Sequence, residues 1–316
     1  MDQYYHQWLY VKMILRNLSM NNVSINHEIR NILERFLLNK ANNIPETKCF
    51  EEMHRELFDK KIDIDINRIK YFWDIMKKKQ VIYDHEIILE PKFQYGACTS
   101  DVSPERIKIL RKIGGDLETA KVIMRYESIL STTQHWNIPT IVYMKLVDEF
   151  QFNCECFASP INSQMLKISQ TFKYINKQGE MEYSPAVIEK PTFCSIFKED
   201  SPFGSLGSFF DANLEGLKCT AFTPYVPELY PLIVKKIKES LKSEKQTLFL
   251  TCTATWSDAE WYQDLEKMST QTITLRPGEY WFEYLDEKQH TNFPTTFFLI
   301  SNYKHPYINL KSFYSG

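Results

Sequence analysis

The chain has 316 residues, of which 43% are hydrophobic and 25% charged, and its formal net charge is -2 with a pI of about 6.4. Length and composition predict a folded globular protein of one large or two moderate domains and exclude a mainly disordered chain. The charge lacks the overall basic character of many nucleic-acid-binding proteins, so any contact with RNA would need a local patch.

Membrane insertion and secretion are not predicted. No run of eighteen or more apolar residues occurs, and residues 1–6 lack a basic region followed by an apolar one. These features are typical of an intracellular protein, cytoplasmic or nuclear.

Seven cysteines are scattered along the chain without a regular framework, which is typical of reduced thiols in an intracellular compartment. Cys154 and Cys156 are one residue apart, so both side chains are expected on the same face of a strand. Zinc sites usually separate two thiolates by about two to four residues. This spacing, with no His-Glu-x-x-His pattern in the sequence, predicts no metal site.

Apolar residues recur at helical spacing in the first third of the chain. Helices are therefore predicted within a helical amino-terminal domain of residues 1–110, at 7–15, 29–38, 50–58 and 67–79. The run Lys77–Lys79 closes the last of these segments, where cations match the helix dipole. We interpret the run as a solvated helix end, with a phosphate-binding patch as the alternative.

Capping residues mark the next helices. Ser103 is a good amino-terminal cap for the helix that follows it, and Gly114-Gly115 is expected to end that helix. A longer helix is predicted from Asp116, and another opens at Ile138-Pro139. The stretch 91–104 is predicted to be irregular.

Strands and helices alternate from residue 152 onwards. Predicted strands cover 152–158, 217–222, 247–252, 271–275, 280–282 and 295–300, and predicted helices cover 164–172, 227–241 and 261–268. This order predicts an α/β fold, with residues 111–316 as the second domain. The sequence contains no Gly-x-Gly-x-x-Gly motif, so the ordinary dinucleotide-binding fingerprint is absent.

Two predicted strand ends suggest a ligand site. Phe209-Phe210 is predicted to be a short strand that ends in Asp211, and the strand 217–222 stops at Thr223-Pro224-Tyr225. Ligands of open α/β sheets bind outside the carboxyl ends of the strands, so these residues are candidates for cofactor and substrate contacts. The alternative is that Asp211 only caps a turn and that Tyr225 only packs.

Two sequence stretches resemble a known family. Glu155-Cys156-Phe157-Ala158-Ser159-Pro160-Ile161-Asn162, followed by Phe203-Gly204-Ser205-Leu206-Gly207, closely resembles the methyltransferase domain of the phosphorylated-CTD-interacting-factor family. The likeness covers roughly residues 110–305 and includes Arg125-Tyr126-Glu127. Family members methylate N6 of the cap-adjacent adenosine of mRNA. The resemblance implies a class I, Rossmann-like core that uses S-adenosylmethionine and is preceded by a helical domain.

The resemblance also implies the walls of a cofactor pocket. The loop at 155–162 and the glycine turn after it would surround S-adenosylmethionine. The implied cofactor-binding residues are Glu155, Cys156, Phe157, Ala158, Ser159, Pro160, Asn162, Gly204 and Gly207. Asp211 is added by the strand-end argument, as a contact to the cofactor hydroxyls.

The family's catalytic sequence, Asn-Pro-Pro-Phe, is replaced in this chain. Aligned without a gap from the glycine turn, the four positions hold Phe222, Thr223, Pro224 and Tyr225. Adenine N6 is a poor nucleophile whose N–H bonds need oxygen acceptors to orient them. Phe222 offers none, whereas the Thr223 carbonyl can accept and the Tyr225 ring can stack. A shifted alignment places Asn213 at the first position, but it loses the prolines and the helix that should follow.

Two functions from different classes follow from this pattern. One is a catalytically impaired, methyltransferase-like protein that binds RNA or assembles with the mRNA-capping or transcription machinery. The other is an active RNA adenosine N6-methyltransferase with an altered site, and a fully closed pocket is a third interpretation. Candidate contacts to capped RNA are Lys235, Lys236 and Lys238, with a solvated helix face as the alternative. Frequent Asn, Ile, Lys and Tyr are typical of AT-rich genomes, viral or protist.

Overall fold

A computed structural model describes a defined part of the chain. The described residues are 4–5, 8–9, 11–13, 46–60, 62, 67, 70–71, 74, 85–128, 136–171, 174–175, 181–182, 192–223, 229–284 and 287–314. The predicted helices at 29–38 and the Lys77–Lys79 run lie outside these residues.

The chain divides into two compact units, Met1–Thr132 and Thr133–Gly316. Elements of the first unit are helix α1 (Glu46–Asp59), strands β1 (Ile87–Ile88), β2 (Gln94–Tyr95) and β3 (Cys98–Thr99), and helix α2 (Pro104–Glu127). The position at which the sequence analysis divides the domains, residue 110, falls inside α2.

Strands β2 and β3 lie within the stretch 91–104 that was predicted to be irregular, and with β1 they form a small antiparallel sheet of order β1-β2-β3. Its turn uses Gly96, whose φ of 58° lies in the left-handed region. A Cβ atom at this glycine would lie only 2.6 Å from the Tyr5 hydroxyl and 2.7 Å from the His85 ring. The strands are two residues long, which is too short for a periodic sequence signal.

Helix α2 begins and bends where the sequence predicts. The Ser103 hydroxyl accepts a hydrogen bond from the Arg106 amide at 3.3 Å, as an amino-terminal cap does. At Gly115 the backbone leaves the helical region, with φ 72° and ψ 179°, and the chain continues as a second helical segment. The predicted break is therefore confirmed as a kink.

The second unit alternates strands and helices. Its described helices are α3 (Thr140–Phe150), α4 (Gln164–Thr171), α5 (Tyr230–Ser240), α6 (Glu260–Met268) and α7 (Leu310–Tyr314), with a 3-10 helix at Lys198–Phe203. Its described strands are β4 (Trp136–Asn137), β5 (Cys154–Cys156), β6 (Tyr174–Ile175), β7 (Met181–Glu182), β8 (Thr192–Phe193), β9 (Lys218–Phe222), β10 (Leu248–Ala254), β11 (Gln271–Leu275), β12 (Phe282–Tyr284), β13 (Glu287–Gln289) and β14 (Thr295–Ser301).

Six of these strands form the main sheet, in the order β8-β5-β9-β10-β14-β11. The first four are parallel, and β14 runs antiparallel to both of its neighbours. A parallel bridge between Phe193 and Ser205 adds one more position beyond β8. The seven segments can be numbered in chain order, with β5 as 1, β8 as 2, the bridge at Ser205 as 3, β9 as 4, β10 as 5, β11 as 6 and β14 as 7. Across the sheet these segments follow the order 3-2-1-4-5-7-6. The predicted α/β fold is thus confirmed.

Helices cover both faces of the main sheet, because alternate strand residues point to opposite sides. The α3 layer comprises Val142, Tyr143, Leu146, Phe152, Leu248, Leu250, Cys252, Phe297, Leu299 and Phe313 with their neighbours. The α5 layer comprises Cys154, Cys156, Cys194, Phe209, Ala212, Cys219, Ala221, Tyr230, Ile233, Ile237, Phe249, Leu265 and Phe298 with theirs. The predicted common face of Cys154 and Cys156 is therefore confirmed. The second unit also contains two small sheets, with the strand orders β13-β12-β4 and β6-β7.

The predicted strand at Phe209-Phe210 is wrong. These residues form a turn in which the Asp211 amide donates to the Ser208 carbonyl at 3.0 Å. Phe209 is buried in the α5 layer, whereas Phe210 is 37% exposed, so the aromatic pair covers the sheet instead of joining it.

Among the described helices, none combines the length and apolar character needed to cross a bilayer.

Replacing Gly115 by Ala is expected to lower the free energy of unfolding by about 1–3 kcal/mol, because its dihedral angles are almost exclusive to glycine. A Cβ atom there meets nothing within 4 Å, so the cost is purely conformational. Urea denaturation measures it. Leu117→Ala, at a 50% exposed position of the same helix, is the control and should change stability by less than about 0.5 kcal/mol. Equal effects of the two variants would contradict the assignment of the kink.

Candidate functional site

The chain order of the main sheet reverses between β5 and β9, since β8 continues to one side of β5 and β9 lies on the other. In parallel α/β sheets a ligand crevice forms at this point, outside the carboxyl ends of the strands. Cys156 ends β5 and Phe222 ends β9, so the 157–162 loop and Thr223 meet at this edge. We call it the carboxyl edge.

Glu155 is buried in the middle of β5, with 1% of its surface exposed. Its carboxylate accepts hydrogen bonds from the Asn137 side-chain amide, from the Ser163 hydroxyl at 2.7 Å and from the Met165 amide at 3.2 Å. The last two donors lie at the amino terminus of α4, where a negative charge complements the helix dipole. The hydrogen bonds of Glu155 therefore connect β4 and α4 to β5.

The loop after β5 is held by its own polar groups. The Asn162 side-chain oxygen accepts from the Ser159 amide at 2.7 Å and from the Ser159 hydroxyl at 2.8 Å. The Ser163 amide closes the same turn on the Ser159 carbonyl at 2.8 Å. Ser159, Pro160 and Asn162 are all buried. Like Glu155, Asn162 thus uses its side-chain oxygen to stabilise the conformation of the loop.

Phe157 turns the chain from β5 into this loop with a φ of 61°, a value that bulky residues rarely adopt. Its half-buried ring packs on Phe209 at 4.6 Å and on Phe210 at 6.2 Å between ring centroids. The next residue, Ala158, donates its amide to the Cys194 carbonyl at 2.9 Å. Aromatic packing and a backbone bond together support the unusual conformation, which lies at the carboxyl edge.

The two predicted glycines lie beside β8. Gly204 and Gly207 have φ values of 98° and 83°, which favour glycine. Between them, the Leu206 amide donates to the Phe193 carbonyl at 2.7 Å, and the Gly207 carbonyl accepts from the Ser195 amide at 3.0 Å. The turn therefore continues the sheet past β8, two positions away from β5.

Phe222 points into the α3 layer. Its ring makes edge contacts with Tyr143 and Phe297, at centroid distances of 6.5 Å and 6.3 Å. Burial raises the pKa of Tyr143 well above its ordinary value, and the charge of Glu155 adds to the effect, so the phenol stays neutral. The Tyr143 hydroxyl is hydrogen-bonded to that of Thr220. Pro224 and Tyr225, the last two positions of the predicted motif, lie outside the described residues.

Three buried hydroxyls converge next to Phe222, on the other side of the sheet. They belong to Thr223, Tyr230 at the start of α5, and Thr253 near the end of β10. Burial raises the pKa of Tyr230, while the two threonine hydroxyls lower it, so both lie close to the phenol. Yet none of the three oxygens has a partner at ordinary hydrogen-bond geometry among the described residues. Such groups are costly when unsatisfied, which makes this hydroxyl cluster a place for a water molecule or a ligand atom.

Sequence reasoning missed this cluster, although one signal was available. The threonines of β10 interrupt a fully buried apolar strand at alternate positions. Two tryptophans also flank Tyr230: Trp261 stacks on it at 4.1 Å and Trp256 meets it edge-on at 5.9 Å. Periodicity places such residues in a core but does not show that their polar atoms converge.

Asp211 and Asn213 lie in the segment that connects the glycine turn to β9. Both are exposed and precede β9, so the chain passes them before it reaches the amino end of that strand. Asn213 uses its side-chain oxygen locally, as an acceptor for the Glu215 amide at 3.1 Å. The expectation that Asp211 ends a strand is therefore wrong, because Asp211 lies in a turn, whereas its contact to a cofactor stays a prediction.

The three predicted RNA-contacting lysines lie in the second half of α5. Because α5 connects two parallel strands, it starts at the carboxyl edge and runs back towards the amino ends of the strands. Lys236 donates to the Ala212 carbonyl at 2.8 Å, and Lys238 pairs with Asp264 at 2.7 Å and lowers the pKa of that carboxyl group. Lys235 is exposed.

Replacing Glu155 by Gln is expected to lower the free energy of unfolding by about 1–3 kcal/mol, because an amide nitrogen would then face hydrogen-bond donors. Urea denaturation without any ligand measures this effect. Glu215→Gln is the matched control at an exposed position and should be neutral. Identical unfolding midpoints for both variants would rule out the anchoring role of Glu155.

Comparison with known proteins relates this site to a family. The sequence matches the family model described as "Phosphorylated CTD interacting factor 1 WW domain" over residues 116–287. The match covers just over half of the chain and includes β5, the 157–162 loop, the glycine turn, β9 and the hydroxyl cluster. No curated protein matched the sequence. The chain belongs to the phosphorylated-CTD-interacting-factor family.

Proposed function

We propose that this protein is a methyltransferase-like member of its family that is related to mRNA cap-adjacent adenosine N6-methyltransferases and is catalytically impaired. In this proposal it binds capped RNA or assembles with the mRNA-processing or transcription machinery. The family description names a factor that interacts with a phosphorylated CTD, which supports a partner in that machinery.

The topology of the main sheet supports a nucleotide-binding core. Its order of 3-2-1-4-5-7-6 contains the doubly wound arrangement of nucleotide-binding folds, with β14 inserted as the antiparallel strand. The chain-order reversal lies between β5 and β9, next to the loop that carries the family resemblance. A class I, Rossmann-like methyltransferase core fits this arrangement.

S-adenosylmethionine is the proposed cofactor, and it would supply a methyl group from its sulfonium. The loop after β5 lies at the carboxyl edge, where such a ligand would bind. Glu155 and Asn162 already use their side-chain oxygens inside the chain, so we assign them to positioning that loop. Direct contacts would then come from the backbone and side chains of Phe157 to Pro160.

The placement of Phe222 carries the proposal of catalytic impairment. This residue ends β9 at the position that the ungapped alignment matches to the family's asparagine, and its ring packs in the apolar α3 layer against Tyr143 and Phe297. A phenylalanine offers no acceptor to the amine. Loss of one preorganised polar contact to developing charge costs about 3–4 kcal/mol, or roughly a hundred- to a thousandfold in rate.

The hydroxyl cluster favours a second function, an active adenosine N6-methyltransferase with an altered site. Thr223, Tyr230 and Thr253 bring three buried hydroxyl oxygens together beside Phe222, and none of them makes a hydrogen bond of ordinary geometry within the described part of the chain. An adenine amine oriented by one of them would not need the missing asparagine. Loss of activity in Tyr230→Phe would identify this arrangement.

We expect methyl transfer to capped RNA that begins with adenosine to be about a hundred- to a thousandfold slower than for a family member with the intact Asn-Pro-Pro-Phe sequence. The measurement is incorporation of label from S-adenosylmethionine. The double variant Phe222→Asn, Thr223→Pro restores the first two motif positions and is expected to gain activity, while Phe222→Leu, which lacks an acceptor, is the control.

Binding measurements separate the outcomes. Calorimetric titration with S-adenosylmethionine and, separately, with capped RNA shows whether a pocket is kept. Turnover by the unmodified chain equal to that of an intact family member would overturn the proposal of impairment. If neither S-adenosylmethionine nor capped RNA bound, the proposed RNA role would be overturned and the closed pocket would be favoured.

Of the three candidate lysines, Lys235 is the one with the strongest case for RNA contact, because it is exposed while Lys236 and Lys238 bind within the chain. Lys235→Glu is expected to weaken binding of capped RNA and to reduce the slope of log affinity against log salt by about 0.7 per lost phosphate contact. Lys304→Glu makes the same charge change at another exposed position. Equal affinities and slopes for both variants would remove Lys235 from the interface.

A further inference from the structure

Four cysteines that are scattered in the sequence meet on one face of the main sheet. Cys154 and Cys156 lie on β5, Cys219 on β9 and Cys194 directly after β8. All four are reduced and buried, and all belong to the α5 layer. Four of the seven cysteines of the chain thus form one patch across three adjacent parallel strands.

The strand register brings these thiols together. Cys154 pairs directly with Cys219 across the β5-β9 ladder. On the other side, the Cys194 amide donates to the Glu155 carbonyl at 2.8 Å and its carbonyl accepts from the Ala158 amide at 2.9 Å, which places Cys194 beside Cys156. The sulfur atoms of Cys154, Cys156 and Cys219 all lie within 4.8 Å of one another.

These distances approach those of a thiolate metal site. A tetrahedral zinc ion with Zn–S bonds of about 2.3 Å holds its sulfur atoms about 3.8 Å apart. The three thiols would have to move together by about 1 Å or less to reach that spacing. Hydrogen-bonded strands preorganise them, and Cys194 beside Cys156 is available as the fourth ligand.

The surroundings suit a soft, dehydrated cation. Among the described residues, this is the one group of three or more His, Cys, Asp and Glu side chains arranged to hold a metal ion. Thiolates without carboxylates favour zinc over magnesium or calcium. The Lys236 ammonium, bonded to the Ala212 carbonyl in the same layer, acts electrostatically on Cys194 and would offset part of the negative charge of a thiolate centre.

We propose that Cys154, Cys156, Cys219 and Cys194 bind a structural zinc ion that fastens β8, β5 and β9 together beneath the loop at 208–216. Zinc would bind the four sulfur atoms as thiolates, and the four thiol protons would be released to solvent. Because all four thiols are buried, the metal would enter as the unit folds. The proposal concerns the scaffold of the carboxyl edge and does not depend on catalysis or RNA binding. The alternative is that the four thiols only pack as small apolar side chains.

Metal content of the full chain tests the proposal. We expect the protein, refolded with zinc and then dialysed, to retain about one zinc ion per chain by elemental analysis, and Cys219→Ala to retain none. Cys252→Ala is the matched control and should keep the metal, because Cys252 is equally buried but lies in the α3 layer. Removal of zinc by a chelator should lower the melting temperature of the unmodified chain and of the control.

Cobalt provides a measurement that needs no variant, in case Cys219→Ala does not fold. Refolding the unmodified chain with cobalt should give the sulfur-to-cobalt charge-transfer absorption of a tetrahedral thiolate site. A folded chain without this absorption and without retained zinc would overturn the proposal, and so would zinc retained equally by Cys219→Ala and by the unmodified chain.

Discussion

The buried carboxylate of Glu155 is the interaction on which the candidate site depends. It collects donors from β4 and from the amino terminus of α4. A buried charge is tolerated only when its oxygens are fully engaged, and here the required donors come from two separate segments. Those segments must therefore hold one arrangement, which fixes the loop at the carboxyl edge.

This constraint changes how the family resemblance is interpreted. The resemblance implies that Glu155 and Asn162 wall a cofactor pocket, and the structure gives both residues intramolecular partners. A residue can support a ligand site by holding a loop as well as by touching the ligand. Loss of binding in a Glu155 variant is thus interpretable only beside a measurement of stability.

The apolar and polar side chains at the end of β9 lie on opposite faces of the sheet. Phe222 turns towards the α3 layer and completes an aromatic contact, while Thr223 turns towards the α5 layer and the other hydroxyls. Alternation along a strand makes this separation unavoidable for adjacent residues. A substitution at one position of the motif therefore leaves polar atoms on the other face, and it is those atoms that favour the second function.

Hydrophobic periodicity and capping residues in the sequence were sufficient to predict the α/β alternation, the strands near 217–222, 271–275 and 295–300, the cap at Ser103 and the bend at Gly115. These features depend on residues close together in the chain. The two-residue strands β2, β3 and β8 escaped prediction, and Phe209-Phe210 was misassigned, because local pattern does not distinguish a strand from a covering turn. Resemblance supplied the family and the motif position.

Only the tertiary structure decided which distant side chains meet. The pairing of β5 with β8 and β9 gathers cysteines that are up to 65 positions apart in the sequence, from Cys154 to Cys219, although the spacing of the nearest two predicts no metal site. The crossover through α5 brings Tyr230 back to Thr223 and Thr253 in the same way. The sequence determines which residues of a strand share a face, because the two-residue alternation of side chains is a local property. Strand order and register determine which residues of neighbouring strands meet on that face, and both arise from the packing of the whole unit.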